Sequence, residues 1–116
     1  MIDNERINQA LRRFAEEREW NKYHTPKNLA SSIVVEASEL LELFQWSRGQ
    51  EGWHELNDPK IRARVEEELA DVLIYILRFA DLANIELNDA MTRKIAENAT
   101  KYPADKARGN DKKYNE

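Results

Sequence analysis

The chain has 116 residues, 41% of them hydrophobic and 34% charged, with three glycines, three prolines and no cysteine. That length supports one hydrophobic core, and so few turn formers argue against collagen, low-complexity disorder and a turn-rich β-sandwich. The lack of cysteine excludes a disulfide framework and thiolate-held zinc or iron-sulfur sites, and the formal charge of −4 speaks against non-specific binding to nucleic acid or an anionic membrane.

The start, Met1-Ile2-Asp3-Asn4-Glu5-Arg6, carries no apolar run behind a basic cluster, so no secretory signal is expected. Ile7, Ala10, Leu11, Phe14 and Arg18 recur at helical spacing and predict a one-sided helix from about Asp3 to Trp20. Thr25-Pro26 reads as the start of a second helix, the threonine hydroxyl accepting a free N–H and proline sitting where its missing donor costs nothing. This helix is expected to reach about Trp46. Gly49 and Gly52 then break the pattern, and Asn57 or Asp58 before Pro59 starts a third helix that runs to about Ala83.

After a connection over 84–87, Ala90, Met91, Lys94, Ile95 and Asn98 mark a fourth helix that ends before Pro103. From Ala104 to Glu116 the chain is polar and charged, too poor in apolar surface to offset the entropy of ordering itself. The expectation is an all-α four-helix bundle over 1–103 and a polar tail over 104–116 that a bound substrate could order. The longest apolar stretch, Leu69 to Leu82, is interrupted by Asp71, Arg78 and Asp81 and is too short for a membrane span, so a soluble, cytoplasmic protein is expected. The same stretch is apolar on nearly every side, which predicts cover from a second subunit or from a central position among the other helices.

Four acids stand out. On a helical wheel Glu36 lies among Leu29, Ile33, Leu40 and Leu43, with Glu39 at the edge of that stripe. Glu68 shares its face with Ile61, Val65, Val72, Tyr75 and Phe79, and Asp71 follows one turn on. Buried carboxylates need compensation, and a hard divalent cation such as Mg2+ offers it through oxygen ligands. A pair of acids three residues apart is also a common surface feature, so the pattern leaves both readings open. A di-iron centre would need paired Glu-x-x-His motifs, and the one match, Glu51-Gly-Trp-His54, falls in a glycine-containing loop.

The runs Glu36-Ala-Ser-Glu39-Leu-Leu-Glu42-Leu-Phe-Gln-Trp46 and Glu67-Glu68-Leu-Ala-Asp71-Val-Leu-Ile-Tyr75 resemble the paired metal motifs of the MazG-like all-α nucleoside triphosphate pyrophosphohydrolases. The residues around Trp20, His24, Pro26 and Asn28, with Lys94, Asn98, Lys101-Tyr-Pro103 and, after Lys112, Lys113-Tyr114 later, resemble the dCTP pyrophosphatase branch. The resemblance implies hydrolysis of a (deoxy)nucleoside triphosphate between its α and β phosphates, with Glu36, Glu39, Glu68 and Asp71 holding Mg2+ and Glu36 or Glu39 taking a proton from the attacking water. It assigns Trp20, His24, Trp46, Tyr75 and Asn98 to the substrate pocket, and Lys94 is a candidate to meet the phosphates. Related members assemble as dimers of dimers, so a homotetramer is expected, with a dimer as the alternative. Leu11 departs from the pattern, standing where dCTP-preferring relatives carry a histidine, which leaves dUTP, dTTP and methylated cytosine nucleotides open. The competing readings are a non-catalytic helical interaction module and a nucleotide sensor that binds without cleaving.

Overall fold

A computed structural model of the chain describes residues 4–47, 49 and 52–111. It contains α1 (Asn4–Glu17), α2 (Pro26–Glu42), α3 (Pro59–Ala83), α4 (Leu87–Lys101) and α5 (Ala104–Ala107), with short 3-10 turns at Asn21–Tyr23 and Gly52–Asn57. No strand occurs among the described residues, as the composition requires of an all-α fold. The chain divides into two compact units, Met1–Ala83 and Asn84–Glu116.

The helix starts are where the sequence places them. Thr25 Oγ1 accepts from the Asn28 N–H at 3.2 Å and Pro26 takes the first helical position of α2. Asp58 Oδ1 accepts from the Lys60 N–H at 2.9 Å at the head of α3.

Two ends differ. The first helix stops at Glu17 rather than Trp20, because Glu19 takes a left-handed φ of 54°. Two hydrogen bonds close the end there, Glu19 N–H to Glu16 O at 3.1 Å and Trp20 N–H to Ala15 O at 2.9 Å. This is a Schellman closure, with glutamate where glycine is usual. The second helix stops at Glu42 instead of Trp46, and residues 43–46 continue as tighter turns in which Phe44 N–H reaches Leu41 O at 2.9 Å.

In the first unit α2 packs mainly on α3, while α1 and the Gly52–Asn57 turn make smaller contacts with α3. The buried apolar side chains are Ala15, Leu29, Val65, Leu77 and Ala80. Burying a leucine such as Leu29 or Leu77 contributes about 1.5–3 kcal/mol. The apolar stretch of α3 is covered only in part, since Leu77 is buried whereas Leu69 is 52% exposed. Val34, Leu41, Trp46 and Trp53 are exposed as well.

In the second unit the Glu86 carboxylate accepts from the Asn88 N–H at 2.8 Å and caps α4. Glu97 pairs with Lys94 at 3.4 Å and Lys101 at 3.2 Å along the same helix. The stretch expected to be a tail contains one short helix, α5, because the Pro103 carbonyl accepts from both Lys106 and Ala107 at 2.9 Å and restarts helical bonding. Lys112, Lys113 and Tyr114 lie outside the described residues.

A glutamate in the left-handed region carries a Cβ clash of about 1–2 kcal/mol that glycine avoids. Glu19→Gly is therefore expected to raise stability by about 0.5–1 kcal/mol after the entropic cost of glycine is deducted. Urea unfolding of the two proteins measures this, and an unchanged or lower midpoint would contradict it.

Candidate active site: an acidic trio beside an aromatic cavity

The wheel positions of the acids translate into convergence. Glu36 and Glu39 from α2 and Glu68 from α3 each bring one carboxylate oxygen to within 4.8 Å of the others. Glu36 and Glu68 are half-buried at the contact between the two helices. Glu36 Oε2 and Glu68 Oε2 are buried and have no hydrogen-bond partner.

An orphaned carboxylate oxygen is costly inside a protein unless a proton or a cation answers it. Burial, then the neighbouring Glu39, Asp71 and Glu68 charges, pushes the Glu36 carboxyl up to about 7. Burial, followed by the charge of Glu39, likewise raises Glu68. The donor set therefore fits a hard divalent cation: three anionic oxygens on two rigid helices, two of them carrying unmatched lone pairs. Asp71 stands outside the trio, yet its charge contributes to the shifts of both Glu36 and Glu68. Glu42, Glu66 and Glu67 are exposed, as their wheel positions require.

Asp71 also lines the neighbouring cavity, which has a volume of about 480 Å³. That is within the usual range for small-molecule sites. Its wall carries the rings of Phe14, Trp20, Tyr23 and Tyr75, with Leu11 and Leu29 between them and His24, Asn28 and Arg78 as polar members. Two of the rings, Phe14 and Trp20, are held by neighbouring side chains. The Arg18 guanidinium lies 3.6 Å from the Phe14 ring centroid, and Phe14 meets Trp20 edge-on with centroids 5.6 Å apart and planes at 72°. The left-handed Glu19 between them aims the chain so that Trp20 faces the cavity with 43% of its surface still open.

Of the residues expected in the pocket, Trp20, His24 and Tyr75 line this cavity together. Trp46 is not among its lining residues and is 89% exposed in the turn after α2. Lys94 and Asn98 lie exposed on α4 in the second unit, four residues apart and so on one face.

Sequence reasoning missed a polar knot in the cavity wall. Arg78 is buried, donating from Nε to His24 Nδ1 at 3.1 Å and from Nη2 to Asn21 Oδ1 at 2.6 Å, with Asp81 Oδ2 3.7 Å from Nη1. Asp81 accepts both prongs of Arg12, at 2.8 and 2.6 Å, and this guanidinium holds its carboxyl below the usual range. The available signal was the pair of charges, Arg78 and Asp81, interrupting an otherwise apolar run. Phe14 was also missed, because a ring at helical spacing reads as core, and Tyr23 was missed because it lies in the turn between two helices, where no periodicity assigns it a face.

Fold and site together define an all-α protein with a carboxylate centre able to hold a cation, set beside a ring-lined pocket. The chain belongs to the MazG-like family, whose pattern it matches over residues 31–116. It is 42% identical to human dCTP pyrophosphatase 1 over 107 residues, covering 89% of this chain and 61% of that protein. The mouse dCTP pyrophosphatase 1 is 42% identical over 101 residues, covering 87% of this chain and 59% of the relative. The chain thus spans about three fifths of the length of these curated relatives. A crystal structure of a pyrophosphatase from Archaeoglobus fulgidus superimposes with a TM-score of 0.81 at 47% identity, covering 89% of this chain and 94% of the other.

The upward shift of Glu36 has a sign that can be tested without cation. Between about 4.5 and 7 the folded protein holds a proton on Glu36 that the unfolded chain has shed, so this group costs stability increasingly as pH rises. Glu36→Gln removes the cost. Its stability advantage over the parent is expected to grow across that window and level off above it in chelator-containing buffer. A pH-independent difference in thermal midpoint would show that Glu36 ionises in the fold as freely as in water.

Proposed function

We propose that this protein hydrolyses a deoxynucleoside triphosphate, dCTP or a modified dCTP, between the α and β phosphates to release the monophosphate and pyrophosphate, with Mg2+ as cofactor. The observation that carries this reading is the orphaned pair of buried oxygens on Glu36 and Glu68, with Asp71, one helical turn after Glu68, lining a ring-walled cavity. The names of the human, mouse and archaeal relatives support it.

Glu36, Glu39, Glu68 and Asp71 would hold the cation. Bound Mg2+ supplies screening of the phosphate charge and a more acidic water. Glu36 or Glu39, through an oxygen not committed to the cation, takes the proton of the attacking water. Trp20 and Tyr75 flank the base, and the edge-on contact with Phe14 spares Trp20 the entropy of settling on binding. Lys94 and Asn98 are proposed to meet the triphosphate, where a point charge favours the departing pyrophosphate. Trp46 is retained as a substrate contact on the family resemblance alone.

A homo-oligomer, a tetramer by the same resemblance, is proposed on the exposed apolar side chains Val34, Leu41 and Leu69. Among the described residues no helix is long and apolar enough to cross a membrane. A cytoplasmic location is part of the proposal.

Incubation with each common dNTP and Mg2+, with products resolved, tests the activity. Monophosphate with pyrophosphate is expected, whereas diphosphate with phosphate would contradict the assigned bond, and binding without cleavage would make the protein a sensor. Changes beyond the direct ligands of metal sites already cost about 10–100-fold. Glu68→Gln is therefore expected to lower turnover by at least about 100-fold while its helical circular dichroism persists; near-normal turnover would remove Glu68 from the metal set.

Leu11 lines the cavity and offers no hydrogen bond to a base. Leu11→His is expected to raise the ratio of dCTP to dTTP hydrolysis, and an unchanged ratio would show that this position does not read the base.

A further inference from the structure

Arg78 is the buried charged side chain among the described residues, 4% exposed, and neither the acidic trio nor the stacking rings require it. A guanidinium is costly in an interior unless its N–H groups find acceptors and its charge an anion. Asn21 Oδ1 and His24 Nδ1 serve as the acceptors and Asp81 as the anion. Asp81 is itself clamped by both prongs of Arg12, so α1, the Asn21–Tyr23 turn and α3 meet at this point.

The chemistry of the contact is one-directional. A guanidinium has five N–H donors and no acceptor, so the His24 Nδ1 that receives Arg78 Nε–H presents a lone pair. In a neutral imidazole the proton then sits on Nε2. We infer that Arg78 is a positioning residue that locks His24 as the Nε2–H tautomer, making the ring a fixed hydrogen-bond donor to an acceptor on the base held in the cavity. Burial, then the Arg78 charge, lowers the His24 pKa, which keeps the ring neutral at physiological pH.

The group met by Nε2–H is a carbonyl oxygen or an unprotonated ring nitrogen, because an exocyclic amine would set donor against donor. Selectivity for the base is therefore written partly in Arg78, which acts through the orientation of His24. The inference rests on the nucleotide reading for the identity of the ligand, but not for the tautomer.

Long-range 1H–15N correlation spectra of the full chain labelled at histidine and arginine read the tautomer directly, with the His24 signals assigned through His24→Gln. A protonated Nε2, an unprotonated Nδ1 and a scalar coupling across the Arg78 Nε–H to Nδ1 bond are expected in the parent protein, and Arg78→Met is expected to release the ring to a tautomer mixture. A protonated Nδ1 in the parent, or a pure Nε2–H form in folded Arg78→Met, overturns the role of Arg78. The parent spectrum decides the tautomer even if Arg78→Met does not fold.

The donor role is read by calorimetric binding of the α,β-imido analogue of dCTP with Mg2+. Glutamine can place an amide N–H near the Nε2 position, so His24→Gln is expected to bind within about 5-fold of the parent and His24→Phe to bind at least about 10-fold more weakly. Equal losses in the two variants overturn the donor role. No binding to the parent overturns the nucleotide reading and the donor role together, while the spectra still decide the tautomer.

Discussion

Mutual repulsion among Glu36, Glu39 and Glu68 is the constraint around which this structure is organised. Three carboxylates on two packed helices, each with an oxygen within 4.8 Å of the others, form an arrangement that a stable fold tolerates only if protons or a cation offset the charge. Burial first, and the neighbouring carboxylates after it, raise the pKa of Glu36 and Glu68. The discomfort is concentrated on two atoms, Glu36 Oε2 and Glu68 Oε2, which are buried without a partner.

The long helix α3 relays this constraint to the pocket. Along it Glu68, Asp71, Tyr75 and Arg78 follow one another at spacings of three, four and three, which puts them on one face. Read in that order they are a member of the acidic trio, an acid that lines the cavity, a ring of the cavity wall and a buried cation of the same wall. Rigidity of a 25-residue helix makes their relative positions nearly independent of the loops on either side.

Much of this was legible in the sequence where local chemistry decides. Thr25-Pro26 and Asp58-Pro59 announce their helices because capping needs only neighbouring residues, and the inward acids are visible because helical period alone assigns a face. The end of α1 was not legible, since a glutamate in the left-handed region has no compositional mark. The Arg78 knot was only half visible. Its charges interrupt an apolar run, but their partners Asn21, His24 and Arg12 lie more than fifty residues away and no periodicity connects them. Trp46, which the family resemblance places in the substrate pocket, is exposed in the turn after α2 and is not among the residues lining this cavity.

The cavity wall is drawn from two parts of the chain. Leu11, Phe14, Trp20, Tyr23 and His24 come from α1 and the turn after it, whereas Asn28, Leu29, Ser32, Asp71, Ile74, Tyr75 and Arg78 sit on α2 and α3, the helices that also carry the trio. Substitutions in the first part can reshape one side of the pocket while the carboxylate-bearing helices keep their sequence. The two properties are open to separate engineering.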